Sequence, residues 1–253
     1  MIDYQLFMKI RSIFRTQHSK FQPSVPFTDP TQQPPAATAV ALEARQRRLR
    51  MAQGVLLLFH VTGFLGLGFS KDPSFYLQFV PLNLLLTAVL LLAFQPDRSA
   101  TFAWFCFTVM AVGFFVEVAG IRTGIIFGHY QYGDVLGLKW LNVPLLIGLN
   151  WLMLTYMTGV LARYLPGPGF VRAVVATLLM VGMDVCIEPV AVRYGFWTWD
   201  FNVIPLQNFK AWFCVALILQ VYFNRNNFVK RNALVPFVYL LQLLFFFGLG
   251  LVG

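Results

Sequence analysis

Long apolar runs alternate with short polar breaks along this chain. The runs at 51–70, 75–94, 101–121, 143–163, 170–190, 206–224 and 233–252 each approach the ~20 residues that an α-helix needs to cross the hydrocarbon core of a bilayer. The pattern predicts an all-α, polytopic membrane protein with about seven transmembrane helices. Ahead of the runs, Leu6, Phe7, Ile10, Ile13 and Phe14 fall on one arc at helical spacing, with Lys9, Arg11 and Arg15 off it. Residues 1–20 therefore read as a basic amphipathic helix lying on the membrane surface. From Gln22 to Ala41 the chain is rich in Pro, Gln, Thr and Ala without a period, which reads as a flexible linker. The expected division is a tail and linker over 1–44 and a seven-helix domain over 45–253.

Composition agrees with the pattern. Apolar residues make up 58% of the 253 and charged residues 11%, and mean hydropathy is +0.68, which excludes a water-soluble globular domain. Nineteen Lys and Arg outnumber ten Asp and Glu. The surplus lies in the tail, in Arg45, Arg47, Arg48 and Arg50, and in short loops, so it reads as charge that sets topology and meets anionic lipid, not as a nucleic-acid surface. With the N-terminus inside, the inner face holds that cluster plus Arg98, Arg163, Arg172, Arg225, Lys230 and Arg231. The outer face then holds Lys71, Arg122, Lys139, Arg193 and Lys210. The bias predicts an N-in, C-out protein of the cell (inner) membrane. Cys106, Cys186 and Cys214 lie in apolar runs, are odd in number and lack metal-ligand spacing, so they read as core residues.

This topology puts Glu117 at the end of the third span, and Asp184 and Glu188 at the end of the fifth, on one face with the loops 122–142 and 191–205. Ionisable groups at membrane depth cost ~2.5–3.5 kcal/mol each on insertion scales, which marks a functional site. Asp184 and Glu188, at i and i+4, share a helix face. A weak internal repeat links the two regions. Phe127 to Asp134 (FGHYQYGD) and then Val143 to Trp151 (VPLLIGLNW) parallel Tyr194 to Asp200 (YGFWTWD) and then Ile204 to Trp212 (IPLQNFKAW). In both, Gly precedes alternating aromatics and an Asp, and a Val/Ile-Pro-Leu follows with Trp seven residues after the Pro. Phe79 to Asn83 (FVPLN) is a fainter third copy. Three tandem helix–loop–helix units plus a last helix are expected, with each Pro in the first turn of its helix.

A carboxyl group in a low-dielectric site can stay protonated and donate, while a better solvated one serves as base. Aromatic faces stabilise a carbocation by about 2 kcal/mol or more when desolvated. Acid, base and aromatic walls are what acid-catalysed addition to an isolated alkene requires. The acid–base candidates are Asp184, Glu188, Glu117, Asp134 and His129. Tyr130, Tyr132, Trp197, Trp199, Arg122, Arg193, Asn150 and Trp151 are candidates for substrate contact. Each has a structural alternative. The Trp and Tyr residues, with Trp140, would form an interfacial aromatic belt, Arg122 and Arg193 would neutralise the acids, and His129 would bridge loops. His60, in the first span, reads as a satisfied core histidine. Other chemistries fit less well. Asp184-x-x-x-Glu188 is similar to one acidic motif of membrane prenyltransferases, but no second copy exists. The spans hold too few histidines for a zinc hydrolase. The last span has no lysine for a retinal, and no phosphate-binding glycine motif occurs.

E-x-x-G-x-x-T-G-x-x-F-G-x-Y-x-Y-G-D (Glu117 to Asp134), VPLLIGLNW (Val143 to Trp151), D-x-x-x-E-P-V-A (Asp184 to Ala191) and W-x-W (Trp197, Trp199) resemble the carotenoid biosynthesis family of membrane hydratases. That family includes γ-carotene and lycopene 1,2-hydratases and bisanhydrobacterioruberin hydratase. The resemblance covers about 51–250. It implies addition of water across the terminal double bond of an acyclic carotenoid end, giving a tertiary hydroxyl, with no cofactor and no metal. The implied partners are a carotenoid drawn laterally from the lipid phase, membrane lipids and other carotenoid-pathway enzymes, with no nucleic acid. Two alternatives stay open: a carotene cyclase sharing the same first protonation, and a membrane transporter or binding protein for a lipid or proton. The transporter would place acids at the midplane or on both faces, with broken helices.

Overall fold

Hydrocarbon offers no partner for backbone N–H and C=O groups, so an apolar run crossing it closes its own hydrogen bonds as an α-helix. A computed structural model describing residues 36–252 shows this outcome. Its helices are α1 (Ala36–Phe69), α2 (Pro73–Leu77), α3 (Val80–Ala93), α4 (Ala100–Thr123), α5 (Leu145–Ala162), α6 (Gly169–Arg193), α7 (Leu206–Arg225) and α8 (Val235–Val252). With α2 and α3 together forming the second, they supply seven segments long and apolar enough to span a membrane. The chain is an all-α polytopic membrane protein. The amphipathic helix expected over 1–20 and the linker up to 35 lie outside the described residues.

The first helix starts earlier than its apolar run. Residues 36–41, expected as linker, are helical. Ala36, Ala37, Ala39 and Ala41 have the best helix propensity of any residue. At α4, the Ser99 side chain accepts from Phe102 N (3.3 Å) and Gly124, in the left-handed region at φ 64°, ends the helix. Pro144 and Pro205 stand at the N-caps of α5 and α7, one position before the first turn where they were expected.

Helix α5 is central and buried on most of its circumference. It crosses α4 closely because both helices have glycine at the contact. A Cβ on Gly113 would lie 2.4 Å from the Trp151 Cβ, and one on Gly148 would lie 2.8 Å from the Met110 carbonyl oxygen. Small residues are what allow such an approach where lipid supplies no hydrophobic drive. A polar network ties the end of α5 remote from the hairpin loops. Tyr156 Oη donates to Gln95 Oε1 (2.7 Å), and Asn232 Nδ2 donates to Tyr156 Oη (3.0 Å) and to the Leu91 carbonyl (2.8 Å). His60 is buried with Nδ1 2.8 Å from the Leu56 carbonyl. The three cysteines are free thiols; Cys106 and Cys186 are half-buried, but Cys214 is exposed on the outside of α7, so it is not the core residue expected.

Two of the repeat units are structural. In each, a helix, a loop with one short strand and a second helix follow in order: α4, β1 (Tyr130–Tyr132) and α5, then α6, β4 (Trp197–Trp199) and α7. The first loop also folds on itself as β2 (Lys139–Trp140) against β3 (Val143–Pro144). Strands β1 and β4 pair antiparallel, Tyr130 with Trp199, Gln131 with Thr198 and Tyr132 with Trp197. Sequence order equates Tyr130 with Trp197 and Tyr132 with Trp199, so this register maps onto itself when the units are exchanged. The two repeat tryptophans, Trp151 and Trp212, likewise meet each other, stacked at 4.1 Å and 13°. A local twofold relation between the units accounts for both contacts.

Candidate active site

Side chains alternate along a strand, so Tyr130 and Tyr132 share one face of β1, and Trp197 and Trp199 share one face of β4. Pairing β1 with β4 brings these four rings together, with Tyr130 and Trp199 4.9 Å apart and Tyr132 and Trp197 6.0 Å apart. Gly133 makes this pairing possible, because a Cβ there would lie 2.0 Å from the Gly195 carbonyl oxygen. The rings lie over the helix ends that carry the buried acids.

Each repeat holds one glutamate with three donors. Glu117 of α4 accepts from Tyr130 Oη and Tyr132 Oη (2.8 Å) at Oε2, and from Trp151 Nε1 (3.0 Å) at Oε1. Glu188 of α6 accepts from Trp197 Nε1 (3.0 Å) and Trp199 Nε1 (2.9 Å) at Oε2, and from Asn208 Nδ2 (2.8 Å) at Oε1. Both schemes use two aromatics from the unit's own strand and one group from its following helix. Burial and the adjacent Glu117 carboxyl push the Tyr130 and Tyr132 phenols well above their ordinary range, so they remain donors.

Asp184 breaks the symmetry. It is buried one turn before Glu188, and among the described residues its side chain has one hydrogen-bond partner, Asn208 Nδ2 at 3.4 Å. The equivalent place in the first unit, four residues before Glu117, is Gly113, where the Trp151 stem leaves no room for a side chain. Pro189 removes the amide hydrogen that would complete the helical ladder just beyond Glu188.

The three carboxyls face one cavity of about 30 Å³, room for one or two waters. Among the described residues no Lys, Arg or His forms an ion pair with any of them. Asn150, Trp151, Tyr130, Tyr132, Trp197 and Trp199 also line it, so they join the acids as expected. Four candidates lie elsewhere. Asp134 is fully exposed and bound to Lys139 Nζ (2.7 Å), whose ammonium holds its carboxyl below the usual carboxylate range. It lies past the end of β1, in a turn closed by the Gly137 N–H to the Asp134 carbonyl (3.0 Å), where the strand no longer sets its direction. His129 is exposed, its ring lying against Gly124. Arg122 is exposed, and Arg193 Nη1 donates to the Leu249 carbonyl (2.7 Å), so neither arginine neutralises the acids. Trp140 is half exposed and stacks on Phe114 at 5.6 Å, apart from the cavity. Asn208, Trp212, Ile147 and Ile187 line the cavity without having been singled out. The repeat pointed to Trp212, which stands seven residues after its Pro as Trp151 does.

A membrane protein in which two helix–strand–helix repeats enclose three carboxyls behind aromatic walls is a candidate for acid–base chemistry on a lipid-soluble molecule. The sequence profile of the carotenoid biosynthesis protein family matches residues 79–252, which include the whole site, and the chain belongs to that family. It is also similar to the bisanhydrobacterioruberin hydratase of Haloarcula japonica, with 29% identity over 156 residues, 56% of this chain. That match spans about half (52%) of the relative's length. No solved structure matches the chain.

Proposed function

We propose that this protein hydrates the terminal (1,2) double bond of an acyclic carotenoid end group. The observation that carries the reading is the unequal treatment of three carboxyls around one water-sized cavity. Glu117 and Glu188 each receive three donors, which engage both of their oxygens. Asp184 receives one long contact and is the carboxyl free to carry a proton. In the proposed reaction the Asp184 O–H bond breaks, and its proton goes to the less substituted alkene carbon. A tertiary cation forms between the aromatic faces and the anionic Glu188. Water adds to that cation, and Glu117, from the opposite repeat, takes the proton that water releases. Transfer of that proton through the cavity back to Asp184 completes the cycle, and the product carries a tertiary hydroxyl.

Family membership supports carotenoid as the substrate class, and the name of the Haloarcula relative supports hydration. A cyclase would share the first protonation but gains nothing from a space that holds water. The cavity is too small for an isoprenoid end group, so its aromatic walls must part as substrate arrives laterally from the lipid. The same proposal places the protein in the cell membrane with its N-terminus inside, putting the cavity near the outer face. Expression in cells accumulating lycopene or γ-carotene, followed by liquid chromatography–mass spectrometry, tests it. A new pigment heavier by one water, with unchanged polyene absorption, supports hydration, and an isomeric pigment with a shifted spectrum makes the protein a cyclase.

A further inference from the structure

A second cavity lies away from the carboxyls, between α1, the start of the second span and α8. It holds about 350 Å³, within the range of small-molecule sites. Five aromatic side chains, Phe59, Phe75, Tyr76, Phe79 and Phe245, form much of its wall. Leu58, Phe75 and Phe79 are exposed, so the groove opens toward lipid. One wall group is out of character. The Asn83 side-chain oxygen is enclosed and has no hydrogen-bond partner among the described residues. An unpaired carbonyl in an apolar site is costly, and a ligand hydroxyl in the groove would satisfy it by donating to Oδ1 once the side chain turns toward it.

We propose that this groove binds the hydroxylated end of a flat, conjugated isoprenoid chain. The aromatic wall favours a polyene over a saturated acyl chain, because stacked π-surfaces add to area burial. Asn83 supplies the preference for a hydroxyl. Much of the wall comes from residues 58–76, upstream of the family match at 79–252, while Phe79, Val80, Asn83 and Phe245 lie within it. The proposal does not rest on the hydratase reading, because occupancy is measured without turnover.

The test uses the full chain in phosphatidylcholine nanodiscs, titrated with an acyclic polyene bearing a terminal tertiary hydroxyl and with its parent hydrocarbon. Induced circular dichroism in the visible bands of the polyene reports binding in an asymmetric site. The hydroxylated polyene should bind roughly three- to tenfold more tightly, the margin of one neutral hydrogen bond. Asn83→Leu should bind both equally. Gly63 lines the groove, where a Cβ would lie 3.5 Å from the Phe245 ring, so Gly63→Leu fills it and should lose the signal for both. A hydroxyl preference that survives Asn83→Leu, or dichroism that survives in folded Gly63→Leu, overturns the proposal. Absence of dichroism at saturating polyene does so as well and leaves the phospholipid acyl chains as the occupant.

Discussion

Asp184→Asn separates catalysis from structure at this site. Asp184 is 1% exposed and among the described residues has one hydrogen-bond partner, Asn208 Nδ2 at 3.4 Å. An asparagine keeps its size and can meet Asn208 amide to amide, so the fold loses at most about 1 kcal/mol. The proton donor is lost entirely. General acid catalysis contributes ~10²–10⁴-fold, or about 2.7–5.5 kcal/mol of barrier, and turnover should fall by that factor. Glu188→Gln gives the contrasting case. Three N–H donors converge on its two oxygens, and a glutamine has only one oxygen to offer. At least one donor then faces another donor, costing about 1–3 kcal/mol of stability in addition to any lost rate. The assay is hydrated pigment formed per folded protein in isolated membranes, with melting followed by tryptophan fluorescence. Asp184→Asn should melt as wild type does and be nearly inactive, whereas Glu188→Gln should melt lower. A folded Asp184→Asn variant working within tenfold of wild type would refute the assignment of the proton donor.

Further outcomes follow from the same geometry. Tyr130→Phe and Tyr132→Phe each remove one donor from Glu117 and should slow hydration about tenfold or more, a charge-assisted bond being worth ~1.5–3 kcal/mol; single-turnover kinetics check this. Gly113→Ala drives a methyl into the Trp151 stem and should cost about 1–3 kcal/mol of stability along with activity, seen as a lower melting temperature. Asp134→Asn and His129→Ala, which alter exposed side chains outside the cavity, should leave the rate of pigment formation unchanged. Asp97 accepts from the backbone N–H groups of Val229 and Ser99 (both 2.8 Å), which holds its carboxyl below the ordinary range. Its contribution is present above the unfolded pKa and disappears as pH falls through the lower folded value. Melting temperature should therefore drop on acidification, and Asp97→Asn should flatten that acid limb.

The spans were legible because a membrane leaves an apolar run no other structure to form. The buried acids were legible for the related reason that their cost demands a use. The loops were harder. Asp134 and Glu117 look alike as letters near the same face, but a turn beyond the end of β1 leaves one in solvent and helix depth buries the other. Arg122 and Arg193 stand close to acids in sequence, yet Arg193 reaches the Leu249 carbonyl across a helix contact that local spacing does not reveal. Asn208 was missed because an asparagine inside an apolar run carries no charge to draw notice. Only the β1–β4 register and the crossing of α6 and α7 bring it between Asp184 and Glu188. The repeat held more information than its letters suggested, since exchanging the units predicts both the strand register and the Trp151–Trp212 stack.

In the proposed reaction water adds to a carbocation created by Asp184. Membranes containing the wild-type chain or Asp184→Asn, supplied with the acyclic carotenoid in heavy-oxygen water, test it directly by mass spectrometry of the pigment. The wild-type product should carry the heavy oxygen in its hydroxyl, and the folded variant should give almost no such product. Unlabelled product from the wild type, or equal labelled product from the variant, would contradict it.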